Sequence, residues 1–208
     1  MITIHFLCHA QTEYNKRQDR IGGCSNHIDL SEEGYEQAAN RGGWFARSRL
    51  FFDKVFCSSA VRARLTLKAI TDAYKITDSE ILYTDELNEV DQGDWQGKTR
   101  AEILTPEMLD QIVAESPHFR PPNGETHKEA EVCMENFVQE NILEKYSEGT
   151  FLLVGHGLSF KCFLQGVMGF DPKMTYKIGC SNTSISRLHY DLKRGWLIDY
   201  LNWSEKSV

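Results

Sequence analysis

The segment that most constrains the fold of this chain is residues 150–155, TFLLVG, which is apolar almost throughout. A short, uninterrupted apolar run is typical of a strand buried on both faces of a parallel sheet. Residues 2–7 alternate apolar with polar side chains and are rich in β-branched types, which predicts a second strand. Because parallel strands need crossover connections that are usually helical, these two segments favour an α/β fold.

Helix and strand patterns alternate along the rest of the chain. The predicted helices cover residues 31–49, 60–74, 97–115 and 126–146. The other predicted strands cover residues 54–58, 81–83, 183–190 and 196–201. A short turn separates the last two strands, as in an antiparallel hairpin at a sheet edge. We therefore expect a single domain over residues 1–208, a three-layer α/β sandwich with a mostly parallel sheet, an antiparallel edge and helices on both faces.

The composition excludes several classes of protein. With 41% hydrophobic and 25% charged residues, the chain has the make-up of an ordinary globular protein. A net charge of -7 argues against a general nucleic-acid surface, although it permits a local basic pocket for a small anion. The sequence has no run of about 18 apolar residues and no basic leader, so we expect no membrane contact and a cytoplasmic location. The six cysteines form no C-x-x-C pair, which indicates reduced thiols. We expect the protein to be a monomer or a homodimer.

Four polar residues follow predicted strands and are candidates for chemistry. His9 comes directly after the first strand and His156 after the apolar run, while Arg62 and Glu89 lie beyond two further strands. Ligands of open α/β sheets bind at the carboxyl ends of the strands, so these side chains are expected to meet there. Such a set suits phosphoryl transfer, in which an imidazole attacks phosphorus, cations hold the oxygens and a carboxylic acid protonates the leaving group. This chemistry needs no metal and no cofactor.

The order of the motifs resembles the histidine phosphatase superfamily, which is also called phosphoglycerate mutase-like. Arginine and histidine open the first motif of that family, and an asparagine closes it; Cys8, His9 and Asn15 occupy those positions here. The phosphate-binding arginine of the family, with a serine four residues before it, matches Arg62 and Ser58. The remaining matches, in the same order as in the family, are residues 20–23, 29–38, 87–97, 122–126, 156–157 and 182–185.

The resemblance implies the fold named above and a role for each matched residue. His9 would be the phosphorylated nucleophile and Glu89 the proton donor, while Arg62 and His156 would bind the phosphoryl group during catalysis. Asn15 would be a further substrate contact. The implied activity is that of a phosphomonoester hydrolase whose partner is a small phosphate ester or inorganic phosphate. A phosphoglycerate mutase is less favoured, because the segment between Glu89 and His156 is too short for the insertion that mutases usually carry.

Cys8 departs from the family, because it occupies the substrate-binding position of the missing arginine. The loss of one guanidinium contact should cost about 2–4 kcal/mol of transition-state stabilisation, roughly a 30- to 1000-fold loss in rate. A weakened phosphatase is therefore expected, and the alternative is a pseudophosphatase that only binds an anion or a protein partner. We also consider two hypotheses: that Lys16, Arg17 or Arg20 supplies the missing charge, and that a cationic pocket lowers the pKa of the Cys8 thiol and makes it oxidisable.

Other residues receive simpler interpretations. Arg64 should be a solvated helix residue, and Trp95 should pack in the interior rather than contact substrate. Several histidines match no motif, and four of these are expected to be structural: His5, His118, His127 and His189. Substrate specificity is expected to lie in residues 97–124, whose side chains follow no recognised pattern.

Overall fold

The computed structural model describes residues 1–17, 19–74, 76 and 81–205. The strands in this part of the chain are β1 (Ile2–Cys8), β2 (Lys54–Ser58), β3 (Ile81–Thr84), β4 (Gly149–Gly155), β5 (Ile185–Asp191) and β6 (Gly195–Trp203). They form one sheet in the order β3-β2-β4-β1-β5-β6. The first four strands pair in parallel, whereas β5 and β6 are antiparallel. The predicted α/β architecture with an antiparallel edge is confirmed.

Helices cover both faces of this sheet. They are α1 (Glu13–Arg17), α2 (Glu32–Ser48), α3 (Val61–Ala73), α4 (Arg100–Ile103), α5 (Pro106–Glu115), α6 (His127–Val138) and α7 (Gly157–Met168). Among the described residues, no helix is long and apolar enough to cross a lipid bilayer.

Two predicted helices are wrong in their bounds. The helix predicted over residues 97–115 is broken into α4 and α5, because Pro106 cannot continue a helix and instead begins a new one. Thr105 caps that new helix by accepting a hydrogen bond from the Met108 N–H at 3.3 Å. The helix predicted to reach Tyr146 is regular only to Val138 and continues as a π-helical turn.

The alternation of side chains along β1 divides the core between the two faces. Phe6 lies on the face covered by α6 and α7, and its ring stacks on that of Phe160 with the centroids 3.9 Å apart. Leu7 lies on the opposite face, among residues of α2 and α3 such as Phe45 and Leu67. Because side chains of a strand point alternately to opposite faces, Cys8 shares the face of Phe6.

Candidate active site

The sheet register brings the two candidate histidines together. Strands β1 and β4 are parallel neighbours in which Cys8 lies opposite Gly155, so His9 and His156 leave the sheet at the same point. The backbone N–H of His9 donates to the carbonyl of Gly155 at 3.0 Å, and the two imidazole centroids are 5.1 Å apart. Both side chains are buried. The two histidines therefore lie side by side at the ends of their strands, as the sequence predicts.

The backbone fixes the tautomer of His9. Its Nδ1 lies 2.7 Å from the carbonyl oxygen of Ala10, and because a carbonyl can only accept, Nδ1 must carry the proton and donate. Burial, with a smaller contribution from the Arg62 charge, lowers the pKa of His9 to about 3. The imidazole is therefore neutral near pH 7, its Nε2 has a lone pair available, and the residue lines an open cleft. These are the properties that a nitrogen nucleophile requires.

His156 is held by partners at both ring nitrogens. The Nε–H of Arg62 donates to its Nδ1 at 3.1 Å, so Nε2 must carry the proton and donates to Ser58 Oγ at 2.8 Å. Ser58 in turn donates to Asn88 Oδ1 at 2.6 Å. Burial and the Arg62 charge hold the pKa of His156 well below its ordinary value. The structure therefore places His156 close to His9, as a buried support for Arg62.

Arg62 connects the sheet to the loop that closes one side of the cleft. Beyond its bond to His156, its Nη1 donates to the Ser25 carbonyl at 2.8 Å and its Nη2 to the Gly23 carbonyl at 3.1 Å. A guanidinium has five N–H donors, so two remain for a ligand in the cleft that Arg62 lines. Arg64, two residues along α3, is exposed as predicted, and its guanidinium lies 5.1 Å from the centroid of the Tyr83 ring.

The carboxylate of Glu89 lies at the amino-terminal end of α7. It accepts hydrogen bonds from the N–H groups of Leu158 at 3.1 Å and Ser159 at 2.8 Å, and from Val90 at 3.0 Å. A negative group is favoured at this end of a helix by the helix dipole. Glu89 also lines the cleft. Its Oε2 accepts only the Leu158 bond, so this oxygen can also hold a proton and donate it to the oxygen of a substrate.

The cleft that these residues surround has a volume of about 580 Å³ and carries three arginines, Arg20, Arg62 and Arg100. Asn15 also lines it, with its Oδ1 accepting from the Thr12 N–H at 3.2 Å, which leaves its amide hydrogens as donors for a ligand. The charge of the wall and its size suit a small anion. Sequence reasoning missed Arg100, although its position at the start of α4, after the capping residue Thr99, was a usable signal.

Three cationic residues were proposed to replace the missing arginine, and they differ in whether they line the cleft. Arg20 lines the cleft, and its Nη1 donates to the Gly97 carbonyl at 2.6 Å. Lys16 and Arg17 are exposed and are not among the described residues that line it. Arg20 is therefore the one of the three whose position suits compensation.

The Cys8 side chain points into the core. The interaction of its thiol with the neighbouring thiol of Cys180, together with burial, raises the pKa of Cys8 well above its usual value. The hypothesis of a lowered pKa at Cys8 is wrong, because burial and a neighbouring thiol outweigh the Arg62 charge. Cys8 is not among the described residues that line the cleft, and its side chain belongs to the core cluster on the face of α6 and α7.

Replacement of Cys8 by arginine is expected to destabilise this protein. Cys8→Arg should lower the free energy of unfolding by roughly 1–3 kcal/mol, because extra atoms and a charge enter a packed site. Cys8→Ser, which is similar in size, is the control in urea titrations of both variants. A Cys8→Arg protein as stable as Cys8→Ser would contradict this expectation and show that the guanidinium finds room beside Cys180.

Buried neutral histidines should make the protein sensitive to mild acid. Burial is the largest cause of a lowered pKa at four of them, to about 4 at His5, about 3 at His9, about 4 at His127 and well below the ordinary value at His156. Below about pH 6.5 the unfolded chain binds protons at these side chains and the folded protein does not. The free energy of unfolding should therefore fall as the pH drops through this range.

We expect urea titrations to give a lower free energy of unfolding at about pH 5 than at about pH 7.5, since each such histidine contributes up to about 1.4 kcal/mol per pH unit. His5→Phe should reduce this dependence, because it keeps a ring against Phe52, whose centroid is 5.6 Å away, and removes a titrating group. The raised pKa of Glu125 acts in the opposite direction in both proteins. An equal decline in the variant would exclude His5 as a contributor.

Comparison with known proteins agrees with the fold. The model of the histidine phosphatase superfamily (branch 1) matches residues 4–204. The chain therefore belongs to the histidine phosphatase superfamily, and the resemblance read from its motifs is confirmed.

Individual relatives and structures are similar at low identity. Phosphoserine phosphatase 1 of Hydrogenobacter thermophilus is 26% identical over 202 residues, which cover 95% of this chain and 91% of the relative. A 2,3-bisphosphoglycerate-dependent phosphoglycerate mutase of Parvibaculum lavamentivorans is 30% identical over 74% of this chain and 73% of its own length. The structure of a mycobacterial glucosyl-3-phosphoglycerate phosphatase with VO3 superposes with a TM-score of 0.83 at 23% identity, covering 98% of this chain and all of the other.

Proposed function

We propose that this protein is a phosphatase of a small phosphorylated metabolite and acts through a phosphohistidine on His9. The observation that carries the proposal is the state of His9, whose neutral ring is fixed by the Ala10 carbonyl with Nε2 available beside Arg62. Phosphatases among its similar proteins support this class of reaction.

In the first half-reaction, the phosphoryl oxygens bind the two remaining N–H donors of Arg62 and the amide of Asn15. Nε2 of His9 attacks phosphorus and forms a P–N bond, while the bond from phosphorus to the ester oxygen breaks. The protonated carboxyl group of Glu89 gives its proton to that oxygen, so the product is a neutral alcohol. His156 keeps Arg62 in position through the bond to its Nδ1.

In the second half-reaction, a water molecule takes the place of the alcohol. Glu89, now a carboxylate, accepts a proton from this water. At the same time the water oxygen attacks phosphorus and the P–N bond breaks. Inorganic phosphate leaves, His9 returns to its neutral form and Glu89 is protonated again. Every group is then restored, and no metal or cofactor enters either step.

We propose a reduced rate as well. The thiol of Cys8 supplies neither charge nor a bidentate fork, so this phosphatase should be slower by about 30- to 1000-fold than an equivalent with an arginine contact. Arg20 and Arg100 offset part of this loss, because both line the cleft. The second candidate is a pseudophosphatase that binds an anion, which the occupied ring nitrogens of His156 and the bonded carboxylate of Glu89 favour.

A trapped intermediate tests the proposal. The protein is mixed with an aryl phosphate and quenched in base, since phosphohistidine survives base and decomposes in acid. Mass spectrometry should find one added phosphoryl group, mapped to the peptide that contains His9 and absent from a His9→Asn variant. Binding of inorganic phosphate without turnover and without a phosphorylated protein would support the pseudophosphatase instead.

A further inference from the structure

A second cavity, which we call the Trp95 cavity, opens beside the cleft. It has a volume of about 240 Å³, and its mainly apolar wall includes Trp95, Leu104, Leu109, Ile112, Phe119 and Tyr176. The centroids of the Trp95 and Phe119 rings lie 5.6 Å apart. Most of this wall comes from residues 97–124, where the sequence predicted substrate specificity. Trp95 does pack in the interior, as predicted, but its side chain also lines this cavity.

The Trp95 cavity adjoins the cleft. Gln92, Arg100, Leu104 and Leu158 line both spaces. The backbone N–H of Leu158 also donates to the Glu89 carboxylate, so the proposed acid lies where the two spaces meet. A leaving-group oxygen that takes its proton from Glu89 would therefore carry its organic group toward the Trp95 cavity.

Helix α5 presents an uncovered apolar side to this cavity. None of its ten described residues is buried, although Leu109 and Ile112 line the cavity. An apolar surface of this kind is stabilised when another apolar group covers it. The space is also large enough for one aromatic ring, since an engineered apolar cavity of about 150 Å³ binds benzene.

The charges around the Trp95 cavity disfavour a second negative group in the substrate. Glu125 lines the cavity half-buried, and its Oε1 accepts a hydrogen bond from the Asp91 N–H at 2.7 Å. Arg100 belongs to the wall shared with the cleft, where the phosphate is expected to bind. A carboxylate on the organic group would face Glu125, whereas an uncharged apolar group would meet mainly apolar side chains.

We propose that the Trp95 cavity is the leaving-group subsite and that the preferred substrates are phosphate monoesters of apolar alcohols, with one aromatic ring or an alkyl chain of similar size. This assignment rests on the proposed function of the cleft. It separates this protein from relatives whose names specify polar esters, phosphoserine and glucosyl-3-phosphoglycerate.

A matched pair of esters tests the subsite. Ethyl phosphate and 2-phenylethyl phosphate both release a primary alcohol, so they differ mainly in the ring that the Trp95 cavity would bind. The kcat/KM for 2-phenylethyl phosphate should exceed that for ethyl phosphate by about 10- to 100-fold. The same preference should hold against phosphoserine, which carries two further charges.

Two neighbouring residues of α5 supply the variants. Ile112→Asn places a polar side chain in the cavity wall and should bring the ratio of the two kcat/KM values close to one. Val113→Asn is the control, because Val113 is exposed and is not among the described residues that line either space. It should keep the ratio of the unmodified protein. A ratio that falls equally in both variants would overturn the assignment of Ile112 to the subsite.

A binding measurement separates failure of the subsite from failure of the proposed function. The non-hydrolysable 2-phenylethylphosphonate should bind more tightly than ethylphosphonate by a similar factor in calorimetry. Equal kcat/KM values for the two esters would overturn the subsite and leave the phosphatase standing. No turnover of either ester, together with tighter binding of the phenyl phosphonate, would overturn the phosphatase and leave the subsite standing.

Discussion

His9→Asn is expected to lower kcat/KM for phosphate esters by at least about 1000-fold, because the protein loses the nitrogen that forms the P–N bond. Asparagine is a suitable replacement, since its amide can still donate a hydrogen bond to the Ala10 carbonyl that Nδ1 of His9 contacts at 2.7 Å. It has no lone pair of comparable basicity to attack phosphorus. Steady-state kinetics with an aryl phosphate, together with urea titrations, measure the loss of activity apart from any loss of stability.

The control for this variant is the same substitution at a histidine outside the cleft. His189 lies on β5, where its Nδ1 is 3.1 Å from the Thr3 hydroxyl, and it is not among the described residues that line the cleft. His189→Asn should keep the kcat/KM of the unmodified protein. If His9→Asn retained more than about a tenth of the activity, His9 would not be the nucleophile, since such a loss is worth only about 1.4 kcal/mol.

Arg62→Ala should have the second largest effect, because the guanidinium has three structural acceptors as well as a proposed role in binding. We expect kcat/KM to fall by about 30- to 1000-fold, as for the removal of other charged contacts to a transition state. The carbonyls of Gly23 and Ser25 and the Nδ1 of His156 would all lose their donor. Stability should therefore fall as well, by about 1–3 kcal/mol.

Arg64→Ala is the matched control, because Arg64 lies on the same helix and is exposed. It should leave kcat/KM unchanged. Arg62→Lys should restore little, since an ammonium keeps the charge but cannot reach three acceptors in the fixed geometry of a guanidinium. Equal kinetics and equal stability of Arg62→Ala and Arg64→Ala would contradict the position that we assign to Arg62.

The sequence predicted that the candidate residues lie at the carboxyl ends of strands, because local patterns show where each strand ends. His9 and His156 directly follow apolar segments, and strands with such patterns end where the polar residues begin. Parallel neighbours then bring both ends to one edge of the sheet, which is where the structure has them. Their catalytic roles, together with those of Arg62 and Glu89, stay predictions until the variants are measured.

The local patterns were less reliable where two signals competed. The helical period of residues 97–115 predicted one helix across Pro106. Proline lacks an N–H and its ring clashes with the preceding turn, so one helix ends before Pro106 and a new one begins at it. That break matters for the proposed leaving-group subsite, because α5 begins there and its Leu109 and Ile112 line the Trp95 cavity. The same segment was expected to carry specificity, but its chemistry could be read only after its side chains were placed.

The sequence by itself determined the family, the α/β fold and the set of residues gathered at the strand ends, since order and periodicity along the chain encode them. Only the tertiary structure decided the chemical state of those residues. The lowered pKa of His9 depends on burial and on the Arg62 charge, and the raised pKa of Cys8 depends on burial and on Cys180, and both partners are distant in sequence. Burial and hydrogen-bond partners set the charge of a side chain, and both follow from packing across the folded molecule.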